Sequence, residues 1–177
     1  MSDCLQGLKV IDLTRNLPGP FATRLLADLG AQIIKIEPLS GDPARALGDL
    51  FDALNHGKTI ETVDFRDPKG IEVIKKHMKD ADVMLDRFRP KVLENMGLDA
   101  KALHAINPKL VVVSITGYGT ADRNDINHTW ANKAGHDINF MAMSGVLDQL
   151  KTADGEQAMP NIQFADLAGG SDTAVIA

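Results

Sequence analysis

Cysteine, tryptophan and tyrosine occur once each in 177 residues. A lone Cys4 can neither close an intrachain disulfide nor build a zinc cluster, so the chain reads as a protein of the reducing cytoplasm. Its start, Met1-Ser2-Asp3-Cys4-Leu5, lacks the basic region and apolar run of a secretory signal. No apolar stretch approaches the roughly 20 residues that span a bilayer, which argues against a membrane partner. Surplus positive charge is missing too. Nineteen Lys+Arg against twenty-four Asp+Glu leave a net charge of −5, the wrong sign for a general nucleic-acid binder. Repeats and low-complexity tracts are absent. What is present is an ordinary globular balance, 44% hydrophobic and 24% charged, in a chain long enough to bury one core as a single domain.

Short apolar runs alternate with helical patterns. Leu8 to Leu13 reads as a strand, stopped by Asn16-Leu17-Pro18-Gly19-Pro20. Phe21, Leu25, Leu26 and Leu29 recur at helical spacing, with Gly30 as a C-terminal cap. Gln32 to Ile36 is a second strand, and the Gly- and Pro-punctuated stretch from Leu39 to Lys58 is expected to be mostly loop. Thr59 to Phe65 makes a third strand, Asp67-Pro68 opens a helix running to Met78, Ala81 to Asp86 a fourth strand and Leu110 to Thr116 a fifth. Asp99 caps a short helix ending at Asn107-Pro108. This order predicts an α/β fold: a Rossmann-like, mainly parallel sheet with helices on both faces. Beyond it, 117–133 reads as a polar loop, His136 to Met143 as a helix, Asp154-Gly155 as a turn and Asn161 to Ala177 as a final helix.

Ligands of such sheets bind beyond the carboxyl ends of the strands. There the sequence places Asp86-Arg87-Phe88-Arg89-Pro90-Lys91, three cations in five residues, which suits either an anion site or a solvated loop. Gly117-Tyr118-Gly119 lacks the third glycine of a dinucleotide fingerprint, and neither a phosphate loop nor a GxSxG elbow occurs. His56, His77, His104, His128 and His136 show no i, i+4 pair on one helix, so no metal is expected. Asp166 stands in the apolar run Phe164 to Gly170, where a carboxylate must be a helix cap, paired, or catalytic.

Several segments together resemble the family III CoA-transferase and α-methylacyl-CoA racemase superfamily. They are Gly7 to Thr14, Pro18 to Ala22, Leu26 to Ala31, Ile34 to Pro38 with Gly41-Asp42-Pro43, Asn55 to Lys58, Phe88-Arg89-Pro90, Gly135 to Phe140 and Ala165 to Gly170. They occur in the family's order across nearly the whole chain. The resemblance implies coenzyme A, carried as an acyl-CoA substrate, at the carboxyl ends of the sheet. Lys35, Lys58 and Arg89 would face its phosphates or adenine, with Arg87 assisting. Asp166 matches the aspartate that transferases use to carry the CoA thioester and racemases use as a base. Gly135-His136-Asp137-Ile138-Asn139 resembles racemases specifically, which makes His136 the opposing acid/base and leaves CoA transfer as the alternative. Backbone N–H groups near Asp137 would hold the enolate oxygen.

The chain departs from the family in three places. His56 replaces an arginine common in the Asn-Arg-Gly-Lys segment, Thr120 to Arg123 lacks the usual Gly-Pro, and the loop to His136 is enlarged. The chain reads as the N-terminal part of the family, with the small domain of longer members absent. A homodimer is expected from the interlocked dimers of the family and from the apolar stretch Ala174 to Ala177. Weak or absent racemase activity is the corollary, and a non-catalytic dimerising remnant is the rival from another class.

Overall fold

A computed structural model describes residues 3–89, 91–119 and 130–177. The chain order is β1 (Lys9–Asp12), α1 (Pro18–Asp28), β2 (Gln32–Glu37), a 3₁₀ helix (Pro43–Leu47), α2 (Asp49–Asn55), β3 (Thr59–Thr62), α3 (Pro68–Met78), β4 (Val83–Asp86), α4 (Val92–Met96), α5 (Ala100–Ile106), β5 (Val111–Ser114), α6 (Asp137–Met143), α7 (Val146–Gln149) and α8 (Phe164–Ile176). All four strand pairings are parallel, in the order β3-β2-β1-β4-β5. This is the Rossmann-like α/β arrangement expected from the sequence, with its switch point between β1 and β4.

Side chains alternate across the sheet, as the period of two requires. Ile11, Ile34, Ile36 and Met84 face one core with Ile74, Met78, Leu98 and Leu103, which come from α3, the α4–α5 loop and α5. Val10, Ile33, Val83 and Leu85 face the other, with Ala22 and Leu26 of α1 and, packed against them, Ala174 of α8. Both faces are therefore covered, which explains why the central strands read as near-continuous apolar runs.

Helix starts follow their local chemistry. Asp67 accepts from the Lys69 N–H at 2.9 Å ahead of Pro68, and Asp99 accepts from Lys101 and Ala102 at 3.0 and 3.2 Å. Two expectations need correction. The stretch from Leu39 to Lys58 is not mostly loop: Asp42 caps the 3₁₀ helix by accepting from the Ala44 N–H at 2.9 Å, and α2 follows directly. Asn16 to Pro20 does not merely break the chain either, because Pro18 opens α1. β1, β3, β4 and β5 are one to three residues shorter at one or both ends than expected, whereas β2 runs one residue further, to Glu37. His128, Pro90, Thr120 to Arg123 and most of the polar loop at 117–133 lie outside the described residues.

Helix α8 docks against α1 at a glycine. A Cβ at Gly170 would stand 2.6 Å from the Pro18 carbonyl oxygen and 2.9 Å from Phe21, so only glycine permits this approach. The contact carries the start of α8 to the start of α1, beside the carboxyl end of β1.

Candidate functional site

A cavity of about 600 Å³ opens at the switch point. Asn16, Leu17 and Pro18 reach it from the β1–α1 turn, Arg87 from the end of β4, and Ile115, Thr116 and Gly117 from the end of β5. The 3₁₀ helix and α2 add Pro43, Ala44, Ala46, Leu47 and Leu50. The starts of α6 and α8 contribute His136, Phe140, Gln163, Ala165, Asp166 and Gly169. The volume suits a small organic ligand, and the wall is mainly apolar with few polar groups.

His136 and Asp166, 30 residues apart in sequence, thus face one cavity because α6 and α8 pack together. His136 sits at the N-cap position of α6, where its N–H donates to Asn139 Oδ1 at 2.9 Å. Phe140, one turn on, sits against Gly117 and Gly135, where a Cβ would come within 2.5 and 2.8 Å of its ring. Tyr118 packs edge-on at 5.3 Å. Asp166 lies in the first turn of α8, and its own backbone N–H donates to Asp137 Oδ1 at 3.0 Å. Asp137 therefore does what the cap residue Gln163, which makes no side-chain cap bond, does not. Burial pushes the Asp166 carboxyl above the usual carboxylate range, and the Asp137 charge adds to the rise, against the opposing pull of Arg87 and His136. A carboxyl raised in this way is suited to taking up and returning a proton.

The cations implied by the resemblance separate into two groups. Arg87 lines the cavity and Arg89 is exposed just beyond β4. Lys35 and Lys58 are not brought to the cavity: both side chains are fully enclosed. Lys35 Nζ donates to the Thr14 carbonyl at 2.8 Å and lies 3.0 Å from Asp42 Oδ2. Lys58 Nζ donates to Pro20 O, Thr23 Oγ1 and Asn55 Oδ1 at 2.9, 2.7 and 3.1 Å, and stands 3.5 Å from Asp12. An ammonium has three protons, and those of Lys58 are all used. In this structure neither lysine offers a face to a phosphate.

Their work is structural and bears on the site from below. Burial alone would raise the Asp12 pKa, but the Lys35 and Lys58 ammoniums, with the Thr14 and Thr23 hydroxyls, hold it below the usual range. Burial lowers Lys58 to about 8 despite Asp12. Asp42 accepts from the Asn16 N–H at 3.0 Å as well as from Ala44, so the ion pair with Lys35 ties two walls of the cavity together. Glu37 adds the other fastening, accepting from the Asp42 N–H at 3.1 Å and from Arg45 at 2.9 and 3.1 Å. Sequence reasoning missed Glu37, Asp42 and Arg45 as site-builders. Asp42-Pro43 repeats the Asp-Pro signal that opens α3, and that was the available clue.

A family model for CoA-transferase family III matches residues 5–177. The chain belongs to that family. It is 36% identical over 183 residues to the mouse succinyl-CoA:glutarate CoA-transferase, covering 96% of this chain and 41% of the relative. It is 33% identical over 168 residues to the human alpha-methylacyl-CoA racemase, covering 94% and 40%. The crystal structure of a CAIB/BAIF family protein from Brucella suis superposes with a TM-score of 0.90 at 34% identity, over 99% of this chain and 48% of that one. The chain thus spans about two fifths of the length of the curated relatives it matches. Among the described residues no helix is long and apolar enough to cross a membrane, and no group of three metal-ligating side chains assembles.

Proposed function

We propose that the cavity receives the acyl end of a CoA thioester and exchanges the proton on its α-carbon. The observation that carries this reading is that His136 and Asp166 line one cavity in a family that handles CoA thioesters. The thioester carbonyl acidifies the adjacent C–H. Ionised Asp166 takes that proton and leaves an enolate, and protonated His136 delivers a proton to the other face. The roles reverse for the opposite enantiomer. Arg89, exposed beyond β4, contacts the phosphates of coenzyme A.

A second reading, CoA transfer, draws support from the relatives named as CoA-transferases. In it the Asp166 carboxylate attacks the thioester carbonyl and CoA thiolate leaves. The thiolate then attacks the aspartyl carbonyl of the resulting anhydride, releasing the donor acid as a carboxylate and leaving an aspartyl thioester. An acceptor carboxylate takes the CoA by the same two steps in reverse, which regenerates Asp166. His136 has no essential part in that sequence. Incubating a 2-methylacyl-CoA with the protein in D₂O tests the first reading. Mass spectrometry should find one deuterium at the α-carbon, lost in both Asp166→Asn and His136→Ala. Transfer of CoA to a second acid that survives His136→Ala, without deuterium uptake, would establish the second.

Val175 and Ile176 stand 86% and 70% exposed on α8, which supports self-association as a two-fold homodimer. Light scattering that finds a monomer at high concentration would remove this part of the reading.

A further inference from the structure

Arg87 is the only permanent cation among the described residues lining the cavity. It follows directly on β4, at the switch point of the sheet, and is partly buried. A guanidinium carries five N–H donors and keeps its charge at any physiological pH. Yet among the described residues none accepts a hydrogen bond from Arg87, and no carboxylate lies within 4.0 Å of it.

The neighbours sharpen this. Arg15 adds a like charge beside it, and burial with that charge makes the protonated guanidinium less favourable than in water. The two acidic groups that attract it are Asp42 and Asp166. Asp42 is already committed to Lys35 and to the N–H groups of Asn16 and Ala44. Asp166 is the reacting carboxyl of the proposed chemistry. The rest of the wall, chiefly Leu17, Ala44, Leu47, Leu50, Ile115 and Phe140, is apolar. Methylene groups fit such a wall and an anion does not, except at the guanidinium. A partly buried cation with no hydrogen-bond acceptor among the described residues, beside an apolar wall, is complementary to a ligand with a carbon chain and an acid group at its far end.

We infer that Arg87 binds a second carboxylate on the acyl group, so that the site selects CoA thioesters of dicarboxylic acids over those of simple fatty acids. The inference rests on the CoA-thioester reading above and holds for either chemistry at Asp166. Binding involves no covalent step: the guanidinium donates two N–H bonds to the two carboxylate oxygens.

Calorimetric titration of the purified chain tests it, with CoA, with the four-, five- and six-carbon dicarboxylic thioesters, and with their monocarboxylic counterparts of equal carbon number. At least one dicarboxylic thioester should bind roughly tenfold to hundredfold tighter than its counterpart, the range of one charged hydrogen-bonded pair. Arg87→Met should erase that preference, the dicarboxylic thioester losing at least tenfold more affinity than CoA or the monocarboxylic thioester. Arg87→Lys should restore part of it. Equal affinities within each wild-type pair would overturn the inference without any variant, while CoA binding kept the underlying reading intact. Arg87→Met weakening CoA and every thioester alike would also overturn it, and would place the guanidinium on the phosphates or the thioester oxygen. Failure of CoA and all thioesters to bind would remove the underlying reading and the inference with it.

Discussion

Replacing Asp137 separates two effects that meet at the start of α8. Its Oδ1 accepts the Asp166 N–H at 3.0 Å, and the cap residue Gln163 makes no side-chain bond of its own. Asp137→Ala leaves that first-turn N–H without its acceptor and removes a negative charge from the positive end of a 13-residue helix. Loss of a side-chain cap costs about 0.5–2 kcal/mol, and the charge–dipole part, about 0.3–1 kcal/mol, overlaps with it. A total near 1–2 kcal/mol should lower the melting temperature by roughly 2–8 °C for a chain of this size. Asp137→Asn keeps an acceptor oxygen but no charge, so its melting temperature should fall less. Both variants remove a cause of the raised Asp166 pKa, the first cause, burial, being left in place. The Asp166 titration midpoint, followed by carboxyl ¹³C NMR, should therefore move to lower pH in both. The pH at which Asp166 becomes competent as a base should move down with it. A wild-type melting temperature for Asp137→Ala, or an unmoved Asp166 midpoint in Asp137→Asn, would refute the reasoning.

Removing Lys58 as Lys58→Met should destabilise the fold by about 3 kcal/mol or more in urea denaturation, because Asp12 stays buried with half its compensation gone. The folded Lys58 pKa of about 8 lies below the ordinary 10.5, so between these values the unfolded state holds the extra proton. Wild-type stability relative to Lys58→Met should thus rise with pH from about 8 to 10.5 and be flat below; a fall across that window would contradict the burial of this ammonium. Gly170→Ala should cost about 1–3 kcal/mol by forcing α8 off the Pro18 carbonyl, and a melting temperature at or above wild type would show that the helices can part freely. Arg89→Ala should weaken CoA by about 1–3 kcal/mol in calorimetry, with unchanged affinity counting against a phosphate contact.

The sheet was legible because its strands carry their pattern locally. Val10, Ile11, Ile33 and Ile34 are buried on two faces, and each run is bounded by a breaker such as Asn16 to Pro20 or Pro38. The stretch from Leu39 to Lys58 misled because Gly41, Pro43, Gly48 and Gly57 punctuate it like a loop. In the structure Pro43 begins a turn of helix and Gly48, at φ +52°, joins two short helices without ending the run. Asp166 and His136 were visible as motif residues, but their shared cavity depends on α6 meeting α8, which no local pattern encodes. Lys35 and Lys58 show the reverse case. The family resemblance implied a contact with the phosphates or adenine of coenzyme A, whereas their partners Asp42, Asp12 and Asn55 are supplied by the fold and enclose them.

The most direct test of the shared cavity is an NMR titration of hexanoyl-CoA into isotopically labelled protein, reading the His136 ring and the Asp166 carboxyl together. The geometry predicts saturable shifts at both, with one dissociation constant, accompanied by the methyl groups of Leu17 and Ala44 on the same wall. Shifts confined to residues outside the cavity, or no shifts at millimolar ligand, would contradict the placement of the acyl thioester between His136 and Asp166.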